Sequence, residues 1–479
     1  MIPLISAPYK PRYVTTLVYM LQSTDYHAWA YLKWFWRTQD FSKVEHRRQL
    51  QQTMVARLLL IVLWSGMAVQ VLTGLFLIYL WEWRGLTGGW AFGLALIISY
   101  PVIWAHLAVV PLVLGRLLIA KPRERWLVIH TEKTLALHKG TKIAIAGSYG
   151  KTSMKELLLT VLSEGKKIAA TPANKNVPLS HAEFAKSLKG DEDIILIEYG
   201  EGAPGDVARF AKTTHPTQAI ITGVSAAHLD RYRTIEKAGA DIFSLTKYVK
   251  TNQVFVNGES PDAEPFIEAG FNRYDQNGAL GWKVSVAKVD IAGLSFTLSK
   301  GQQKLNLKSS LLGSHNIGPL SLAATLAHQL GLTNQEIING VGKAKPFEHR
   351  MQPYQLNDAW IIDDTYNGNL EGIRAGTILL NQLPAKRKLY ITPGLVDQGQ
   401  LTSQIHEKMG ELIAASGAQI VVLMKHSVTD FIKEGLTKSG FQGELIIEPD
   451  PLNFYNNLSH FVAAGDLVLM QNDWPDNYV

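Results

Sequence analysis

The chain has no cysteine, which excludes disulfides, thiolate metal sites and cysteine nucleophiles. It also lacks internal repeats and low-complexity segments. Excess charge of either sign is lacking: the net charge is +6 over 479 residues, too little to point to nucleic acid. In two places charge is missing altogether. None occurs between Arg57 and Glu82, and none from Trp90 to Leu114. Each run exceeds the roughly 20 residues needed to cross a bilayer, and soluble helices rarely run this long without charge. A cleaved signal peptide fits poorly, because the first run starts near residue 55.

The loop between the runs, Glu82 to Gly89, is short, so the pattern predicts a helical hairpin with transmembrane helices at about 55–81 and 90–115. Lys43, Arg47, Arg48 and Arg57 precede it, and Arg116, Lys121, Arg123 and Arg125 follow it. The positive-inside rule then places both ends in the cytoplasm, giving a multi-pass protein of the cytoplasmic membrane. Trp81, Trp83 and Trp90 fall at the far interface, and Pro101 and Pro111 are placed to kink the second span. Residues 13–37, aromatic-rich and poor in charge, are expected along the membrane surface.

From about residue 131 the pattern changes to α/β. Short apolar strands (Lys142–Ala146, Ile194–Glu198, Ala219–Thr222, Gln253–Asn257) alternate with helical stretches, as in a parallel sheet covered on both faces. Between Trp282 and Leu311 the period becomes two residues, with turns at Gly293 and Lys300-Gly301, and predicts a small antiparallel insert. A helix is expected at about Leu320–Leu330, ended by Gly331. A second α/β unit follows a boundary near Lys343–Glu348, with strands at Trp360–Asp363, Lys388–Thr392, Gln419–Met424 and Leu467–Met470. The expected organisation is an anchoring region at 1–130, a nucleotide-binding central domain at 131–344 and a Rossmann-like C-terminal α/β domain at 345–479.

The chemistry starts at Ile143-Ala-Ile-Ala-Gly-Ser-Tyr-Gly-Lys-Thr-Ser153. A β-branched run enters a glycine turn, then Gly150-Lys151-Thr152, then a helical pattern from Met154 to Leu162. Such a turn aims backbone N–H groups and a helix N-terminus at a phosphate, with a lysine to neutralise charge and a hydroxyl to reach Mg²⁺. Ile145 stands where the longer form of this loop has glycine, so the form here is Gly-x-x-Gly-Lys-Thr-Ser. Glu198 ends an apolar strand, where a carboxylate either ligates Mg²⁺ or is simply solvated. His228, in Thr222-Gly-Val-Ser-Ala-Ala-His-Leu-Asp230, lies just past another strand; a lone histidine there is more often structural. Asp363-Asp364 ends a further strand before Thr365-Tyr-Asn-Gly-Asn369. These acids either bind a ribose hydroxyl or a cation, or form an Asx-rich turn.

In their order and spacing these segments resemble the Mur ligases of peptidoglycan synthesis, and among them the D-alanyl-D-alanine-adding type. The matching segments are Gly147–Ser153, Thr171-Pro-Ala-Asn-Lys-Asn176, Glu198-Tyr-Gly, Ala227-His-Leu-Asp230, Gly313-Ser-His-Asn316, His349-Arg-Met351 and Ile362–Asn369. The resemblance covers about residues 131–470.

It implies an ATP-driven amide ligase with Mg²⁺ as cofactor. A muropeptide-type substrate and an amino-acid or dipeptide acceptor would be its partners, with D-Ala-D-Ala and a UDP-MurNAc-peptide as the leading pair and no nucleic acid. The loop residues Gly147, Ser148, Gly150, Lys151, Thr152 and Ser153 would hold the phosphates, with Lys151 on the γ-phosphate. Thr152, Glu198 and His228 would hold metal. Asn316 would lie by the adenine, and Arg350 and Asp364 would complete the site from the C-terminal domain, so that domain closure assembles it. Lys151, Glu198, His228 and Arg350 would be catalytic. Asn174, Asn176, Tyr366, Asn367 and Asn369 would meet substrate.

The sequence departs from the family in three ways. The membrane hairpin stands where the family has its UDP-gripping domain. Gly239 falls where many members carry a carbamylated lysine. Gln471-Asn-Asp-Trp474 replaces a basic C-terminal motif. A lipid-linked substrate or a non-catalytic nucleotide-binding scaffold are the alternatives these departures raise.

Overall fold

The computed structural model describes residues 7–24, 26–38, 40–41, 44, 50–85, 87–172, 178–226, 229–366, 368–396 and 398–472. It divides into two compact units, 1–126 and 127–479.

The first unit is helical. Helices α1 (Arg12–Ser23) and α2 (Ala28–Arg37) precede two long apolar segments. One is α3 (Met54–Arg84). The other runs as α4 (Gly89–Leu107), α5 (Val109–Gly115), a π-helical stretch at Arg116–Ala120 and α6 (Lys121–Leu137). Both segments are long and apolar enough to cross a membrane, and large side chains such as Leu72, Phe76 and Phe92 stand exposed along them. The second does not stop near residue 115 as expected. No glycine occurs between Gly115 and Gly140 to end it, and the chain passes into α6 through a π-helical turn in which Lys121 N–H donates to Arg116 O.

Residues 13–37 form helices that pack within this unit. One face of α1 and α2 packs onto the apolar helices, where Leu17 and Leu21 join Leu59, Leu63 and Ala105. The Tyr13 and Tyr31 hydroxyls donate to the carbonyls of Pro101 and Ala105 at 3.1 and 3.0 Å. These helices are therefore half-buried in their own unit.

The second unit holds two sheets. The larger has ten strands in the order β10-β9-β8-β7-β6-β5-β4-β1-β3-β2. Its parallel part is β1 (Thr141–Ala146), β2 (Ile168–Ala170), β3 (Ile194–Glu198), β4 (Gln218–Ile221), β5 (Val254–Asn257) and β6 (Asn272–Asp275). The strands alternate between two cores, as the two-residue period of a strand requires. Ile143 and Ile145 face the core with Leu157, Leu158 and Leu322, while Ala144 and Ala146 face the one with Ile197, Ile221 and Val254. Helices α7 (Lys151–Leu162), α8 (Pro178–Ser187), α9 (Asp206–Thr214), α10 (Ile235–Phe243), α11 (Ile317–Gln329) and α12 (Asn334–Lys343) accompany this sheet.

The expected antiparallel segment is present and joins the larger sheet. Strands β7 (Gly278–Ala279), β8 (Trp282–Asp290), β9 (Gly293–Lys300) and β10 (Gln303–Ser309) continue the same sheet, because β7 pairs antiparallel onto β6. Edge-to-edge pairing of this kind leaves no local trace in a sequence.

The smaller sheet has the order β11-β12-β16-β13-β14-β15. Its strands are β11 (Gln352–Leu356), β12 (Ala359–Asp364), β13 (Arg387–Thr392), β14 (Ile420–Met424), β15 (Glu444–Glu448) and β16 (Asp466–Gln471), with helices α13 (Leu370–Gln382), α14 (Thr402–Ala414) and α15 (Thr429–Lys438). All pairs are parallel except β11 with β12. Strands β11 and β15 were not anticipated. Both are half-exposed edges whose polar residues blur the apolar signal used to find strands.

Candidate active site

Strand β1 lies between β3 and β4, so the chain crosses it on returning from the β2 edge. The crevice beyond the carboxyl ends of these strands is where open α/β sheets bind ligands. The loop from Gly147 to Gly150 turns there. Gly147 has φ 148°, and a Cβ would stand 2.2 Å from Thr222 Oγ1. Gly150 has φ 73° and caps α7, so both positions need glycine. Ser148 N–H donates to Gly223 O at 2.8 Å. The Ser148 hydroxyl is buried without a partner, as a phosphate-facing donor would be.

Two acid–base pairs fill the floor of the loop. Lys151 Nζ lies 2.6 Å from Glu201 Oε1 and 2.5 Å from Gly147 O. One helical turn on, Lys155, fully buried, lies 3.3 Å from Glu198 Oε2 and 3.2 Å from Glu156 Oε1. Thr152 Oγ1 donates to Glu198 Oε1 at 2.9 Å. Glu198 itself is 2 % exposed, and its Oε2 accepts no hydrogen bond. A buried carboxylate and a hydroxyl side by side are hard oxygen donors of the kind Mg²⁺ takes, so Thr152 and Glu198 fit that ion. Among the described residues no group of three or more His, Asp or Glu converges to hold a metal. His228, Asn174, Asn176 and Asn367 lie outside the described residues. Gly239 sits on α10 with Phe266 packed over it, and a Cβ there would stand 2.3 Å from the ring. No side chain fits at that position without moving Phe266.

Above the loop opens a cavity of about 590 Å³. Tyr149, Gly150 and Ser153 line one wall with Asn257, Tyr274, His315 and Asn316, and Arg350, Asp364, Tyr366 and Asn369 line the other. Residues from the two sheets thus meet across one space. Gly147, Ser148, Lys151, Thr152 and Glu198 are not in this lining; they lie at or below the loop. Asn316 Nδ2 donates to Leu312 O at 2.7 Å, and burial lowers the pKa of its neighbour His315 to about 4.

On the far wall the Arg350 guanidinium stacks 4.7 Å above the Tyr366 ring. Asp364 accepts from Met351 N–H at 3.2 Å and from Gln471 Nε2 at 2.7 Å. Burial pushes its pKa up to about 7 against these bonds and the nearby Arg350. The adjoining Asp363 is spent locally on His349 Nδ1, at 2.8 Å, and on Thr365. Asn369 caps α13 by accepting from Gly372 N–H at 2.9 Å, so it has a structural task besides lining the cavity.

Sequence reasoning missed Glu201, Lys155, His181 and Gln471 as members of the site. Lys155 follows Lys151 by one helical turn, so the spacing carried a faint signal for that residue. His181 meets Glu198 O through Nε2 at 3.0 Å and is held neutral by burial, its pKa lowered to about 4. Gln471 takes up Asp364, Gly372 O and the Tyr390 hydroxyl together.

Residues 145–327 match the Mur ligase middle domain. The UDP-N-acetylmuramoyl-tripeptide--D-alanyl-D-alanine ligase of Escherichia coli (strain K12) is 27% identical over 291 residues, 58% of this chain and 63% of that protein. The enzyme of that name from Synechocystis is 27% identical over 301 residues, 61% and 64% of the two chains. The chain therefore spans somewhat less than two thirds of the length of these relatives. The crystal structure of MurF from Acinetobacter baumannii superposes with a TM-score of 0.64 at 20% identity, covering 73% of this chain and 77% of that one. MurF from Thermotoga maritima, in complex with ADP, gives 0.64 at 22% identity, covering 73% and 80%.

Proposed function

On the premise that this chain carries a Mur ligase middle domain within a MurF-type α/β fold, we propose that it is an ATP-dependent amide-bond ligase of peptidoglycan precursor synthesis. Its proposed reaction adds D-Ala-D-Ala to a UDP-MurNAc-peptide. The observation that carries this reading is the cavity that joins the phosphate loop to Arg350 and Asp364. An MgATP held there is gripped from both domains, 131–344 and 345–479, and closure completes the site.

In this reading Lys151 leaves Glu201 for the γ-phosphate, and the Ser148 hydroxyl and the loop N–H groups take phosphate oxygens. Thr152 and Glu198 would hold Mg²⁺, and His228 would be a further ligand. Mg²⁺, when bound, supplies neutralisation of the phosphate charge. A substrate carboxylate oxygen bonds to the γ-phosphorus as ADP leaves, giving an acyl phosphate. The acceptor amine then attacks the acyl carbon, loses a proton, and phosphate leaves with the bonding pair. Positioning and charge neutralisation do this work, so no protein nucleophile is required. Asn174, Asn176, Tyr366, Asn367 and Asn369 are proposed to face the substrates.

Residues 1–130 are proposed to anchor the enzyme. The apolar segments would cross the cytoplasmic membrane as a hairpin with the catalytic domains on the cytoplasmic side, since basic residues flank both ends. A second reading, a lipid-linked substrate, is favoured by this helical unit standing where a UDP-gripping domain is expected.

Phosphate release by the detergent-solubilised protein with ATP, Mg²⁺ and UDP-MurNAc-tripeptide, with and without D-Ala-D-Ala, tests the proposal, with Lys151→Ala as control. Release that needs both substrates supports it. ATP binding without release on these substrates refutes the UDP-linked assignment and favours the lipid-linked one.

A further inference from the structure

A second cavity, of about 530 Å³, opens at the end of the larger sheet opposite the phosphate loop. Thr141, Gln218 and Gln253 line it, at or just before the starts of β1, β4 and β5. Its volume is that of a small-molecule site. Lys139, Lys142 and Lys250 line it too, and no acid does. Lys142 is 6 % exposed, and its ammonium donates to a neutral group, His138 O, at 3.0 Å. Among the described residues none of the three lysines forms an ion pair. The acids on flanking segments are engaged elsewhere, Glu192 with His138 at 2.9 Å and Glu132 with His215 at 3.7 Å. Burial accordingly lowers the Lys142 pKa. A buried charge without a counter-charge is unfavourable, so an anion held in the cavity is stabilising. Gln218 adds a second feature. Its Nε2 donates to Gln253 Oε1 at 2.9 Å, while its own Oε1 is buried with no hydrogen-bond partner.

We propose that this cavity binds a phosphate ester that carries a free hydroxyl. Phosphate offers several strong acceptor oxygens and negative charge to the lysines, and the hydroxyl donates to the unused Gln218 Oε1. The same chemistry occurs in a soluble ester such as glycerol 3-phosphate and in the headgroup of phosphatidylglycerol, and the test separates these two sources. The site is distinct from the nucleotide site. Strand β1 has the cavity at its Thr141 end and the phosphate loop beyond Ala146, so the two are roughly 20 Å apart at the rise of a strand. The inference therefore stands independently of the ligase reading.

The full chain is titrated calorimetrically in a neutral detergent, with the phosphate loop filled by Mg²⁺ and a non-hydrolysable ATP analogue. Glycerol 3-phosphate should bind saturably, and propyl phosphate, the same kind of ester without hydroxyls, several times more weakly. Lys139→Gln combined with Lys250→Gln, both at exposed positions where folding should not suffer, should weaken glycerol 3-phosphate binding at least tenfold with the melting temperature kept. Gln218→Leu should bind the two esters alike. In nanodiscs, loss of glycerol 3-phosphate binding with phosphatidylglycerol but not with phosphatidylcholine assigns the site to the lipid headgroup; binding undiminished in both assigns it to a soluble ester. Absence of saturable binding in detergent, or binding untouched by the double lysine variant, overturns the proposal. So does equal binding of propyl phosphate by the unaltered protein, because the Gln218 contact is then not made.

Discussion

Replacing Lys155 by methionine removes a cation from the most enclosed part of the site while nearly keeping its volume. Lys155 is fully buried, and it meets Glu198 and Glu156 at 3.3 and 3.2 Å. The two acids respond differently to its loss. The side chain of Glu156 is 27% exposed and that of Glu198 only 2%, so water can replace the lysine at the first and not at the second. Glu198 keeps one donor on its carboxylate, the Thr152 hydroxyl. Removing one partner of a buried pair costs about 3–5 kcal/mol, and nearly all of it should fall on Glu198.

Thermal unfolding in detergent should show Lys155→Met melting several degrees below the unaltered protein. Mg²⁺ should raise the variant's melting point more than that of the parent, since it supplies the missing charge and binds only the folded form. In a double-mutant cycle, Glu198→Gln should restore much of the loss, because it removes the charge that lost its partner. Equal stability of Lys155→Met and parent, or an unchanged loss in the Glu198→Gln background, would refute the argument and assign Lys155 to packing alone.

Three further outcomes follow from the geometry. Gln471→Ala strips partners from Asp364, Gly372 O and Tyr390 at once, and should cost about 2–3 kcal/mol in chemical denaturation by orphaning buried polar groups. Gly223→Ala would bring a Cβ to 2.3 Å from the Tyr149 ring at φ 149°; it should displace the phosphate loop and weaken ATP-analogue binding in a fluorescence titration. The pH dependence is signed. His181 and His315, held to about 4, take up protons on unfolding, so their contribution is present above about 6.5 and lost as pH falls toward 4. Asp364, raised to about 7, acts oppositely, its contribution being lost as pH rises through 7. Two histidines against one aspartate leave stability rising with pH from 4 to 6.5, and Asp364→Asn should steepen that rise in melting-temperature profiles.

Local order carried much of this molecule into its sequence. The run Ile143–Ala146, the glycines at 147 and 150 and the hydroxyls beyond them read as strand, turn and helix start because each obeys a rule about its own neighbours. The apolar runs after Arg57 and from Trp90 are legible for the same reason, and the helices Met54–Arg84 and Gly89–Leu107 lie on them. Arg350 became a nucleotide-site candidate only through resemblance, whereas Asp364 was already marked by its place in an acid pair at a strand end. The cavity puts them opposite Gly150 and Ser153, some 200 positions apart in the chain.

What sequence could not reach depends on distance along the chain. The β6–β7 pairing joins the expected antiparallel strands to the edge of the larger sheet. The register of β12 with β16 sets Asp364 beside Gln471, and so decides the aspartate's partner, while burial raises its pKa against that bond. Nothing near Glu201 in the sequence marks it as the counter-ion of Lys151. Periodicity and turn chemistry are properties of a few consecutive residues, so the sequence by itself determined the elements, the phosphate loop and the apolar runs. Pairing of strands, burial of charge and the choice of ionic partner are settled by which segments pack together, and those only the tertiary structure decided.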